Sequence, residues 1–221
     1  MTGITVKELY SLENSIAAPL FEGLSYPFEA LPKIGEFIKN LGPTLDREIY
    51  DCIDENIWIA KSAKIAPSAS ITGPCIIGEN TEVRHCAFIR GNALVGNDCV
   101  VGNSTELKNV VLIGKVQVPH YNYVGDSVLG YGSHMGAGSI TSNVKSDKTL
   151  VVLKQNGEIY ETGLKKFGAM VGDFVEIGCG SVLNPGTVVG KNTNIYPLSS
   201  VRGIIATNSI YKNAGEIVEK R

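Results

Sequence analysis

From Ile59 onward, every sixth residue is aliphatic for ten positions: Ile59, Ile65, Ile71, Ile77, Val83, Ile89, Val95, Val101, Leu107 and Ile113. Ile, Leu and Val are 59 of the 221 residues, so ten in succession from one start arise by chance roughly twice in a million trials. Glycine follows the aliphatic at Gly78, Gly96, Gly102 and Gly114, and a small residue stands two places before it, as in Ala63, Ala69, Cys75, Thr81, Ala87, Ala93, Cys99 and Thr105. The period returns as Val171, Ile177, Leu183, Val189, Ile195 and Val201. A spacing of six fits neither a helix nor an ordinary alternating strand. Short strands joined by tight turns do fit it: one aliphatic per flat face points inward and the small residue fills the remaining interior. Asn80, Asn97, Asn103 and Asn192 suit turn positions with unusual backbone angles. Three faces then make one coil of about eighteen residues, with parallel strands stacking coil upon coil. The pattern predicts a mainly β fold, a parallel β-helix of hexapeptide repeats.

Residues 1–56 read differently. Leu31, Ile34, Ile38 and Leu41 form one helical stripe that ends at Gly42-Pro43, and Pro19, Pro27 and Pro32 break the rest into short pieces. We expect a helical arm or cap over 1–56, covering the first coil or pairing with another subunit, a β-helix domain over 57–207, and a tail over 208–221. The repeat breaks after Ile113, whose next in-phase position is Pro119, and resumes displaced at Leu129 and Met135. Residues 144–168 leave it altogether, and Asn156-Gly157 between alternating runs predicts an inserted β-hairpin. Breaks in a regular coil are where side loops emerge, and loops on rigid scaffolds commonly carry sites. His120 lies at the first break; His134, Asn143 and Lys145 flank the second.

With a net charge of −2 and 19% charged residues, the chain offers no sign of a nucleic-acid or membrane-surface partner. It shows no N-terminal secretory pattern and no long apolar span. Five dispersed cysteines without a CxxC pair suit reduced thiols in a cytoplasmic protein rather than structural zinc.

"VGNSTELKNVVL", followed by "PHYNYVGDSVLGYGSHMGAGSITSN", resembles the C-terminal acetyltransferase domain of the bifunctional glucosamine-1-phosphate acetyltransferase/N-acetylglucosamine-1-phosphate uridylyltransferases. "YETGLKKFGAMVGDFVEIG" is closer to the archaeal sugar-1-phosphate nucleotidylyltransferases that carry the same domain. The likeness covers about residues 65–205. It implies a left-handed β-helix, a cytoplasmic homotrimer with sites at subunit interfaces, and acetyl transfer from acetyl-CoA to glucosamine 1-phosphate on the way to UDP-N-acetylglucosamine. It implies His120 as the catalytic base, Arg90, Lys108, Tyr123 and Asn143 as acceptor-binding residues, and Ala137 as the place where backbone meets the acetyl group. Three positions depart from the family: His134 replaces a substrate-side Asn, Cys179 a Ser on the acetyl-CoA side, and Val144 an aromatic residue. Residues 1–58 contain nothing like the Gly-rich nucleotide loop that opens the partner domain, so no nucleotidyl transfer is expected from this chain.

The implied reaction needs a neutral amine to attack a thioester, and a histidine is the side chain suited to remove its proton near neutrality. A backbone N–H beside Gly136 or Gly138 would serve the oxyanion, and Arg90 and Lys108 a phosphate. No metal is required. Two other classes compete. A hexapeptide-coil carbonic anhydrase would need three imidazoles on zinc, and His85, His120 and His134 are the three in the chain, His85 lying some three coils from the motif. A non-catalytic sugar-phosphate-binding or scaffold subunit, partnering a nucleotidylyltransferase, is the other.

Overall fold

The computed structural model describes residues 1–13, 15–212 and 216–220. From residue 57 the chain winds as a three-sided parallel β-solenoid. On the first face Ile57–Ala60, Cys75–Ile77 and Ala93–Val95 pair in parallel, Ile57 opposite Cys75 and Cys75 opposite Ala93, a step of eighteen residues. The second face stacks Lys64–Ile65, Glu82–Val83, Val100–Asn103, Gln117–His120 and His134–Met135. On the third, Ser70–Ile71 and Phe88–Ile89 lead to Glu106 and Leu107, then to Tyr123 and Val124, then to Ile140–Thr141. Short strands of this kind cannot bury a face alone; stacking turns each inward aliphatic into part of one continuous core. Ile77, Val83, Ile89, Val95, Val101 and Leu107 sit in that core at 0–1% exposure, with Cys75, Ala87, Ala93 and Cys99 filling the space between them.

The first break in the repeat comes earlier than Ile113. Val110 and Leu112 point into the solenoid, whereas Ile113 belongs to a second core outside it. Ala93 pairs with Val110, a step of seventeen, and Val110 with Ser127, again seventeen. The corner between the third and first faces has lost one residue in each of these coils, at Lys108-Asn109 and at Gly125-Asp126. In the next coil the same corner holds the insertion. Its hairpin pairs Val152–Gln155 with Glu158–Glu161 around Asn156-Gly157, both at positive φ.

The N-terminal arm reaches well beyond the first coil, which its residues 50–54 edge. It runs along the first face over a ladder of outward side chains, Trp58, Ile76, Leu94, Val111, Val128, Met170 and Val188, each between two inward-facing positions. Helix Ile34–Leu41 lies against the strands bearing Ile76, Leu94 and Val111 and buries Ile34 and Ile38. Each such side chain contributes about 1.5–3 kcal/mol when fully buried. The arm is also pinned electrostatically: the fully buried Asp173 carboxylate accepts the N–H groups of Ser11 (2.7 Å) and Tyr131 (2.8 Å) and pairs with Lys191 at 2.9 Å. The hairpin joins this second core through Val151 and Leu153, the Tyr160 ring against Tyr26 and Phe28, and two hydrogen bonds between Gln155 and the Thr2 backbone. Residues 50–54, within the N-terminal segment, form a strand antiparallel to Ile57–Ala60.

Candidate active site

From His85 onward the corner between the second and third faces repeats one geometry: a residue leaves the strand, and the next, at positive φ, donates its N–H to the coil beneath. His85, Asn103, His120, Ala137 and Cys179 occupy equivalent places up this edge. Asn103 Nδ2 donates to the His85 carbonyl (3.1 Å), Asn103 pairs with His120, Gly138 N–H donates to the His120 carbonyl (3.0 Å), and Gly180 N–H donates to the Ala137 carbonyl (2.9 Å). The edge thus brings His120, Ala137 and Cys179 together on successive coils, and all three are exposed. It also places His85 on the same edge two coils from His120, not three, with its Nδ1 2.6 Å from the Ser68 hydroxyl.

The amides of Gly136 and Gly138 themselves are already used. Gly136 N–H donates to the Ile177 carbonyl at 2.7 Å and Gly138 N–H to His120. The N–H between them, on Ala137, has no acceptor among the described residues, and Ala137 faces solvent. Gly136 is fixed by close packing, since a Cβ there would lie 2.6 Å from the Cys179 nitrogen. His120 itself is held through its backbone, its N–H donating to Asn122 Oδ1 at 3.1 Å. Asn122 is buried, and its Nδ2 donates to the carbonyls of Gly136 (2.9 Å) and Ser139 (3.1 Å), so it ties the turn of His120 to the Gly-rich turn above it.

A second cluster lies across the third face and its far corner. Tyr123 begins the strand that follows His120, and Asn143 Nδ2 donates to its hydroxyl at 3.2 Å. Burial, then the Asp126 carboxylate, raises the Tyr123 phenol above its usual range. Lys108 is 3.0 Å from Asp126, and Asn109 and Asn143 also donate to that carboxylate. Arg90 pairs with Glu106 at 2.7 Å and stacks over Phe88. Four of the five expected acceptor-side residues therefore share this surface. His134 does not. It stands on the second face, its Nδ1 2.8 Å from Glu176 on the next coil. Val144 is exposed at the root of the insertion. Among the described residues no group of three or more His, Cys, Asp or Glu is arranged to hold a metal ion, and no helix is long and apolar enough to cross a membrane.

Residues 71–162 match the family model described as the GMPPB C-terminal domain. The bifunctional protein GlmU of Methanococcus vannielii is 35% identical over 112 residues, 50% of this chain and 27% of that protein. The bifunctional sugar-1-phosphate nucleotidylyltransferase/acetyltransferase of Sulfurisphaera tokodaii is 31% identical over 104 residues, 47% and 26% respectively. About half of this chain is homologous to those bifunctional proteins. It spans about a quarter of their length. Among solved structures, a hexapeptide transferase family protein of Anaplasma phagocytophilum aligns with TM-score 0.40 at 16% identity, covering 74% of this chain and 78% of that one.

Residues 71–162 hold His120, Ala137 and the second cluster, though not Cys179, and within them the sequence reading passed over Asp126, Asn109 and Asn122. Asp126 stood in the quoted "PHYNYVGD" stretch without a role. The shortened corner, visible only once the coils are paired, brings neighbouring coils' polar side chains onto that one carboxylate.

Proposed function

We propose that this chain is an acetyl-CoA-dependent N-acetyltransferase whose acceptor is an amino-sugar 1-phosphate, glucosamine 1-phosphate first among them. One observation carries the reading: an exposed imidazole and an unused backbone N–H stand on adjacent coils of one edge, next to a polar patch of Tyr123, Asn143, Lys108 and Arg90. The His120 ring takes the proton as the acceptor amine attacks the thioester carbon. The Ala137 N–H receives the oxyanion. Collapse breaks the carbon–sulfur bond, and the departing thiolate takes the proton back from His120. Lys108 and Arg90 face the sugar phosphate, Tyr123 and Asn143 its hydroxyls, and Cys179 the acetyl-CoA side. These steps call for neither a metal nor a covalent enzyme intermediate. The product would be a precursor of UDP-N-acetylglucosamine.

We place the working site between copies of the chain in a cytoplasmic homotrimer. Support comes from the edge that bears His120: Tyr121 is 65% exposed and Leu198 82% exposed there, both at positive φ. Large apolar side chains in that backbone region are uncommon, and two on one edge suit a surface covered by a neighbour. His134, remote from the acceptor patch within one chain, would reach acceptor only from such a neighbour.

A second reading, a non-catalytic sugar-phosphate-binding or scaffold subunit that partners a nucleotidylyltransferase, draws on the pairing of both Arg90 and Lys108 with carboxylates. Release of CoA thiol with a panel of amino-sugar 1-phosphates separates the two: the enzyme turns over, the scaffold binds without turnover.

A further inference from the structure

Asp126 occupies the tightened corner with a φ of 48°, and its side chain is 5% exposed. A carboxylate so buried persists only where it is paired and hydrogen-bonded. Here the partners come from both sides. Lys108 Nζ of the preceding coil lies 3.0 and 3.2 Å from its two oxygens, Asn109 Nδ2 donates at 2.9 Å, and Asn143 Nδ2 of the following coil donates as well. The backbone joins in: Gly168 N–H, where the insertion re-enters, donates to the Asp126 carbonyl at 2.8 Å, and Phe167 N–H donates to the Asn143 carbonyl at 2.9 Å.

An unpaired lysine on a solenoid wall is a long, mobile cation. Held by both carboxylate oxygens, the Lys108 ammonium is confined to one place and still has N–H capacity for another anion. Asn143 is confined likewise, and its contact with the Tyr123 hydroxyl carries that order onto the third face. We infer that Asp126 is the positioning residue of the acceptor side, fixing Lys108 and Asn143 and tying both to the root of the insertion. This role rests on the acetyl-transfer reading above.

Asp126→Asn tests it, because Asn keeps the size and tolerates the left-handed backbone while replacing an acceptor edge with a donor. The expected result is an acceptor KM raised about ten- to a hundred-fold, with the acetyl-CoA KM and kcat close to wild type and a cooperative thermal transition. In a Lys108→Met background the same change should raise the acceptor KM by less than it does alone, what remains acting through Asn143. Loss of kcat with both KM values rising alike, in either background, would mean a general structural role and overturn the inference. A second arm needs no turnover: the Lys108 ammonium resonance, slowed in exchange by the carboxylate, should be seen by NMR in the wild-type protein and lost in Asp126→Asn. Identical signals in both proteins overturn the positioning claim. A wild-type chain that transfers no acetyl group while showing this loss keeps the fixed pair and discards the acetyl-transfer reading.

Discussion

The N–H of Gly138 donates to the carbonyl of His120 at 3.0 Å across adjacent coils. That bond fixes the Gly-rich turn over the histidine and leaves the neighbouring Ala137 N–H facing solvent. The base and the oxyanion donor of the proposed reaction are thus positioned by the stacking that builds the fold, one coil apart, about the 4.8 Å of parallel strands. Replacing Gly138 strains this turn, because its φ of +70° is disfavoured for other residues. Gly138→Val should lower kcat more than it lowers melting temperature, measured by thiol release beside thermal unfolding.

Lys108→Ala and Arg90→Ala should raise the KM for glucosamine 1-phosphate while leaving that for acetyl-CoA nearly unchanged. A charge-assisted contact contributes ~1.5–3 kcal/mol, or roughly ten- to a hundred-fold. The Arg90 change should have the smaller effect, since its pair with Glu106 is exposed and screened. Equal loss for both substrates would indicate damage to the wall rather than to acceptor binding.

The arm is held by the outward ladder, so Leu94→Ala should cost about 2–5 kcal/mol in denaturant unfolding, Leu94 being wholly buried beneath helix Ile34–Leu41. Ile159→Thr on the exposed side of the hairpin should change stability by less than about 0.5 kcal/mol. Similar costs at the two sites would contradict the ladder as the arm's anchor.

Burial pushes the Cys75 and Cys99 thiols up to about 12, against an ordinary value of 9.0. Between those values the folded chain binds more protons than the unfolded chain, so stability falls as pH rises through that window. Cys52, Cys86 and Cys179 are exposed. A thiol reagent at neutral pH should therefore modify these three in the folded protein and all five after unfolding, and the melting temperature should drop above about pH 9.

Most of the solenoid was legible because its interior admits one solution: an aliphatic every sixth residue with a small partner. The hairpin at Asn156-Gly157 was legible for a local reason, the turn chemistry. The position of the first break was not. Ile113 continues the count of six, yet the deleted residue lies at Lys108-Asn109, and an aliphatic outer ladder hides the slip by placing Val111 and Ile113 beside Val110 and Leu112. That same ladder could have announced the arm's course, since an outward aliphatic recurs on one face in coil after coil. For the site, the motif marked His120, Ala137, Tyr123, Lys108 and Asn143. The use of the Gly136 and Gly138 amides, the isolation of His134 on another face, and the convergence on Asp126 depend on which coils touch, and spacing alone does not reveal them.

His134→Asn removes the ion pair with Glu176 and should retain acetyl transfer, because the pair lies apart from both clusters within the chain. A loss as large as that expected for His120 would move the base to His134.

The central claim is that His120 removes the proton from the acceptor amine. It is tested most directly by the rate of CoA release with glucosamine 1-phosphate for the wild-type protein and His120→Ala. The account predicts turnover in the wild type, a kcat lower by about 10²–10⁴-fold in the variant, and an unchanged thermal transition. Wild-type turnover by His120→Ala would contradict it.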